Sequence, residues 1–178
     1  MKKANMRITF CPGPGAIIPE WKISQVEVFG RNDKYYEKVK SKTLNWIKKI
    51  SEQDEVVPVS GASSTAAILS FNSFLSGSVC VVNTGYYSDR WFNYLKEKIY
   101  LKNNIKKLKY LTLYELEKSK EKFNWIIFVY VETSICKKYS IVDVKKLCKR
   151  NKSKLLVDAT GSIGLEKNHK LADVVFFS

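Results

Sequence analysis

Short apolar, β-branched runs alternate along this chain with stretches of helical spacing, and few architectures accept that pattern. Trp125 to Val131 is the strongest run, apolar throughout, as expected of a strand covered on both faces. Val79 to Val82 is a second, closed by the turn signal Asn83-Thr84-Gly85. Val56-Val57-Pro58-Val59, Leu108 to Leu111, Lys154 to Val157 and Val174 to Phe177 are read as further strands. Between them, Ala66, Ala67, Leu69, Ser70 and Phe74 recur at helical spacing until Gly77. Trp91 to Lys98, Tyr114 to Phe123 and the amphipathic Val142 to Cys148 are also read as helices. Strands separated by helices cannot close as hairpins, so the pattern predicts an α/β fold with a mostly parallel sheet.

Composition narrows the function classes. No window approaches the unbroken apolar length of a membrane helix, and Met1 to Phe10 lacks the apolar core of a secretory signal. Cys11, Cys80, Cys136 and Cys148 form no CxxC pair and no Cys/His metal pattern, so reduced thiols and a cytoplasmic location are expected. The net charge is +14, but only four of the 31 basic residues are arginine: Arg7, Arg31, Arg90 and Arg150. The lysines are spread over the polar positions, for example Lys96, Lys98, Lys102, Lys106, Lys107 and Lys109. A solvated lysine surface is expected rather than a specific nucleic-acid reader, which favours the guanidinium fork. Nonspecific binding of polyanions at low salt is the weaker alternative that this charge leaves open.

In open α/β sheets, ligands bind beyond the carboxyl ends of the strands. Ser63-Ser64-Thr65, Tyr86-Tyr87, Glu132-Thr133 and Asp158 all fall at predicted strand ends. Ser63, Ser64 and Thr65 open a helix, where free amides and the macrodipole favour an anion; ordinary N-capping is the alternative use. Asp158 ends a buried run, so it needs either a cation or several hydrogen-bond donors. No GxGxxG or P-loop pattern occurs, and Gly61-Ala62-Ser63-Ser64-Thr65 lacks the closing glycine of a nucleophile elbow.

These motifs, in this order, resemble the class V, fold-type I pyridoxal-phosphate (PLP) aminotransferases. Phe10-Cys11-Pro12-Gly13-Pro14-Gly15 is similar to their N-terminal Pro-Gly-Pro arm, and Ala62-Ser63-Ser64-Thr65-Ala66-Ala67 to their Gly-Ser-Gly-Thr-Ala-Ala phosphate loop. Thr84 to Arg90 resembles Asn-Gly-x-aromatic-Gly-x-Arg, Glu132-Thr133-Ser134 the Glu-Thr/Ser-Ser motif, and Val157-Asp158-Ala159 the Val-Asp-Ala motif. The nearest look is to 2-aminoethylphosphonate–pyruvate and alanine/serine–glyoxylate transaminases. The resemblance implies a three-layer large domain, residues 1–178 being the N-terminal arm plus its first part, incomplete at the C-terminal side and without the small domain.

It further implies that Ser63, Ser64 and Thr65 hold the cofactor phosphate and that Tyr87 stacks on the pyridine ring. Thr133 would bond near the phenolic oxygen, Asp158 would pair with the ring nitrogen, Thr160 would lie under the ring, and Gly15 of the arm would meet substrate. The expected reaction is amino transfer from an amino donor to a 2-oxo acid, by a homodimer or with a complementing C-terminal chain. Departures are Ser64 for the phosphate-loop glycine, Tyr130 where histidine is frequent, and Ile135-Cys136 for Thr-Gly. The Schiff-base lysine, expected a few residues beyond Ser178, is not in this sequence, so no catalytic residue is assigned and the chain alone is expected to be inactive. A non-catalytic remnant that binds PLP or a partner is the alternative.

Overall fold

The computed structural model describes residues 30, 33–99 and 105–178, which form two compact units, Met1–Lys42 and Thr43–Ser178. The arm Phe10 to Gly15 lies outside the described residues, and with it Gly15 and Cys11. Asp33 caps helix α1 (Lys34–Ser51), its Oδ1 accepting from the amides of Tyr35 at 2.7 Å and Tyr36 at 3.1 Å.

The second unit is a three-layer α/β structure. Five parallel strands, β1 (Gly77–Val82), β2 (Ile105–Leu111), β3 (Trp125–Val129), β6 (Lys154–Asp158) and β7 (Val174–Phe176), lie in the order β2-β1-β3-β6-β7. A separate antiparallel ribbon pairs β4 (Val131–Glu132) with β5 (Lys137–Lys138). Alternation along the strands divides the core in two. Val79, Val81, Ile127, Leu156 and Phe176 face one layer with Ala67 and Phe71 of α2 (Ser63–Phe74) and Trp91 of α3 (Tyr86–Tyr94). Cys80, Val82, Ile126, Phe128, Leu155 and Val157 face the other, with Leu116 of α4 (Leu113–Lys118) and Ile141, Val144 and Cys148 of α5 (Ile141–Asn151). β3 is buried at all five positions because both layers cover it.

The differences from the sequence reading have physical causes. Val56–Val59 is not a strand: Val57 is 82% exposed, no neighbouring strand pairs with the segment, and Pro58 has no amide to donate. The run Trp125 to Val131 breaks after Val129: the Tyr130 amide still donates to the Asp158 carbonyl, but its own carbonyl accepts from Tyr139 and Val131 enters the ribbon. The helix expected from Tyr114 to Phe123 ends at Lys118, since Phe123 is buried as the chain enters β3. The helix expected from Trp91 starts earlier, at Tyr86, and ends in a π turn, Leu95–Ile99.

Cys80 and Cys148 are buried thiols in the α4–α5 layer; desolvation pushes both up to about 12. Among the described residues only Cys136 is an exposed thiol.

His169, fully buried, bonds Ser162 through Nε2 at 2.9 Å and leaves Nδ1 without a partner. Desolvation holds its pKa below the ordinary value. The unfolded chain therefore binds the proton more readily, so this group contributes stability above the unfolded pKa of about 6.5 that is lost as pH falls through the folded pKa. Urea titrations between pH 7.5 and 5 should show declining stability with a flatter decline in His169→Gln; equal slopes would mean that another group carries it.

Candidate functional site

All five parallel strands point their carboxyl ends at one edge of the sheet, and the polar residues singled out in the sequence collect along it. α2 ends only three residues before β1 begins, so it runs back along the sheet and puts its N-terminus at that edge. Its first turn holds Ser63, Ser64 and Thr65, all half-buried. The N-cap is Ala62, with no side-chain cap; Thr65 and Ala66 donate to the Ala62 carbonyl. The capping alternative is therefore not how these hydroxyls are used, and the Ser63 and Ser64 amides stay without intrahelical acceptors. Gly61, at φ +147°, admits Thr65 closely: a Cβ there would lie 2.5 Å from Thr65 Oγ1. A helix start with free amides and three hydroxyls suits a phosphate-sized anion.

The turn after β1 is drawn against the end of β3. Glu132, completely buried, accepts from the Tyr87 amide at 3.2 Å, the Thr84 hydroxyl at 3.4 Å and the Ser134 hydroxyl. Gly85, at φ +144°, permits this approach, since a Cβ would come within 2.7 Å of Glu132 Cγ. Ser88 closes the same turn, accepting from the amides of Thr84 at 2.9 Å and Gly85 at 3.0 Å. Tyr87 is thereby fixed at the strand ends, half-buried, its ring edge-to-face with Tyr86 at 5.4 Å.

Asp158 closes β6 with 5% exposure. Its Oδ2 accepts from Trp91 Nε1 at 2.8 Å and its Oδ1 from the Thr160 amide at 3.0 Å. Both donors are neutral. Desolvation raises its pKa above the ordinary carboxylate value, and the hydrogen bonds from Thr160 and Trp91 offset only part of that. Thr160 itself is exposed just beyond. Thr133, also exposed, lies over Gly161, where a Cβ would be 3.0 Å from Thr133 Cγ2. Tyr87, Thr133, Asp158 and Thr160 thus share one part of the edge. Ser63 to Thr65 stand at the same edge, on the helix whose Phe71 packs edge-to-face on Trp91 at 5.7 Å.

Trp91 is the participant that the sequence reading missed. It lies four residues after Tyr87, hence on the same helix face. Phe71 and Phe176 cage its ring at 5.7 and 5.6 Å, which aims the indole N–H at Asp158. Lys170 lies away from this region: its amide bonds Glu52, and it precedes β7, whose Phe176 is the residue in register with Asp158. Among the described residues there is no group of three or more His, Cys, Asp or Glu that could hold a metal ion, and no helix is long and apolar enough to cross a membrane. This edge thus carries both the uncapped start of α2 and the buried carboxylate of Asp158.

Trp91→Phe removes the donor to Oδ2 while keeping an aromatic ring. It should lower stability by about 1.5–3 kcal/mol, the range for a hydrogen bond to a charged group. The folded pKa of Asp158 then rises further, and stability from a raised carboxyl is lost as pH increases through that pKa. Chemical denaturation should therefore show a larger loss at pH 7.5 than at pH 4.5; a pH-independent loss would mean that the indole serves packing alone.

No family model and no curated protein matches this sequence. Its fold does match solved structures. Alanine–glyoxylate aminotransferase from Nostoc sp. superposes with a TM-score of 0.69 at 18% identity, over 92% of this chain and 47% of that one. Ureidoglycine–glyoxylate aminotransferase from Bacillus subtilis gives 0.69 at 17%, over 93% and 46%. Pyridoxamine–pyruvate aminotransferase from Mesorhizobium loti gives 0.71 at 15%, over 85% and 42%. The chain spans less than half the length of each of these structures, and over that span it has the fold of the fold-type I aminotransferases.

Proposed function

We propose that this chain forms the cofactor-cradling part of a PLP-dependent aminotransferase, acting on a small amino donor and a 2-oxo acid. The observation that carries the reading is Asp158: a buried carboxylate at the carboxyl end of β6, bonded only to neutral donors, at the same sheet edge as the uncapped start of α2. Burial makes its charge costly, and a protonated pyridine nitrogen would offset that cost. Ser63, Ser64 and Thr65 would bind the cofactor phosphate through amides and hydroxyls, and Tyr87 would flank the ring. Thr133 and Thr160 would border it, with Trp91 holding the carboxylate in orientation. When bound, PLP supplies an electron sink for amino-group transfer. The residues of this chain bind it and keep its ring nitrogen protonated.

Within this reading the amine that joins the cofactor covalently comes from outside residues 1–178, because Lys167 and Lys170 both precede β7. The isolated chain should bind PLP without covalent attachment and show no amino transfer. In equilibrium dialysis, Asp158→Asn should weaken PLP binding by about tenfold or more, the scale of a charge-assisted hydrogen bond. Retained affinity in that variant would remove Asp158 from the site. Borohydride treatment followed by peptide mapping should leave no single lysine labelled stoichiometrically; one uniquely labelled lysine together with amino transfer would show that the catalytic amine lies within this chain.

The non-catalytic alternative draws on the Trp91–Asp158 bond, which already satisfies part of the carboxylate without any ligand. Where such a remnant binds a partner rather than PLP, Asp158→Asn changes stability and leaves PLP affinity untouched.

A further inference from the structure

The basic residues are spread along the sequence, but the fold sets several of them beside carboxylates and leaves one group without any. Lys48 pairs with Glu55 at 3.1 Å, Lys138 with Glu166 at 3.1 Å and Lys145 with Asp173 at 3.0 Å. Residues 118–124 and 149–154 differ. Lys118, Lys120 and Lys122 lie in the first stretch and Lys149, Arg150, Lys152 and Lys154 in the second, all exposed. The one carboxylate within the two stretches is Glu121, already bridged to Lys107 at 2.8 Å. Glu117 immediately precedes the first stretch and leaves the balance strongly positive. Among the described residues, none of these seven cations forms an ion pair.

The sheet brings the two stretches together. One leads into β3 and the other into β6, which are paired strands about 4.8 Å apart, with Trp125 in register with Lys154. The Asn124 carbonyl accepts from the Lys154 amide at 2.9 Å, and the Phe123 carbonyl accepts from the Ser153 hydroxyl at 2.6 Å. Ser78, at the start of β1, donates its hydroxyl to the Lys122 carbonyl at 3.1 Å. Arg150 Nη2 donates to the carbonyls of Leu116 at 3.2 Å and Glu117 at 2.6 Å, which ties the end of α5 to the end of α4. The backbone is therefore fixed while the ammonium groups reach solvent. This patch lies at the amino ends of β3 and β6, the opposite end of the strands from Asp158. Like charges gathered on a rigid edge raise the local potential and draw in anions.

We infer that this face binds the phosphate backbone of a nucleic acid without reading its bases. Lysines meet phosphates one at a time as point charges, whereas base edges favour the guanidinium fork. The single arginine of the patch has its Nη2 committed to the carbonyls of α4. An anionic membrane fits less well, because Phe123 and the adjacent Trp125 are buried and the two stretches expose no large apolar side chain to insert. Lysines at successive strand entries instead present their charges in sequence, as a linear polyanion does. This goes beyond the cofactor reading and does not rest on it.

The test uses the full chain and a fluorescent single-stranded DNA of twenty nucleotides in mixed sequence. Saturable binding by anisotropy is expected at 50 mM salt, with the logarithm of affinity falling by about 0.7 per phosphate contact for each tenfold rise in salt. Lys122→Gln, Lys152→Gln and Lys154→Gln together should lower that slope by about 2 and the affinity by about tenfold or more. The same charge change at Lys38, Lys42 and Lys49, exposed on α1, should leave both almost unaltered. Acetylation of the unmutated chain, mapped by mass spectrometry, should show Lys122, Lys152 and Lys154 protected by the DNA; this arm does not depend on how a variant folds. Absence of saturable binding, equal losses in the two triple variants, or protection confined to other lysines would overturn the inference. So would tighter binding to phosphatidylserine vesicles than to DNA, or a tenfold preference among oligonucleotide sequences. No readout involves PLP, so this inference and the cofactor proposal fail separately.

Discussion

The carboxylate of Asp158 sits where a charge is expensive, and much of the surrounding architecture is arranged around keeping it there. β6 delivers it to the carboxyl edge with 5% exposure, and α3 brings Trp91 to within 2.8 Å. α2 and β7 wedge the indole in place through Phe71 and Phe176. One hydrogen bond thereby ties two helices and two strands to a single orientation of one side chain. Neutral donors hold the carboxylate without discharging it, which leaves it able to attract a cation. A cationic partner such as lysine would have neutralised the site.

Glu132 solves a related problem differently. It is buried deeper, yet its oxygens are shared among the Tyr87 amide, the Thr84 hydroxyl and Ser134. Its donors come from the turn after β1 and from its own turn, so it fastens the strand ends together and positions Tyr87. Two buried carboxylates within one sheet edge are therefore held differently: Glu132 by donors of the adjacent turns, and Asp158 by Trp91 and the Thr160 amide.

The architecture was legible in the sequence because strand and helix periods differ. The alternation of Val79–Val82, Trp125–Val129 and Lys154–Val157 with amphipathic stretches determines a parallel sheet with two helical layers. The positions of Ser63 to Thr65, Tyr87, Thr133, Asp158 and Thr160 along one edge follow from that topology, because parallel strands present all their carboxyl ends together. The partnership of Trp91 was not legible: it depends on the rotation of α3 against β6, which no local pattern encodes. Nor was the end of β3, since the chain passes there from β6 to a ribbon partner, Lys137–Lys138, that lies beyond an intervening turn. The extent of α4 depended likewise on Phe123 being needed in the core.

Val56–Val59 shows a different limit. Its residues have every local mark of a strand, and its failure to form one is no failure of propensity. A strand is a relation between two segments; without a neighbour at the correct distance, β-branched side chains have no pleated surface to fill. β7 pairs with β6 and lies across a cavity from Val56–Val59, too far away to serve as that neighbour. At the edge strand β2, the exposed Lys106, Lys107 and Lys109 make approach of another strand costly in desolvation.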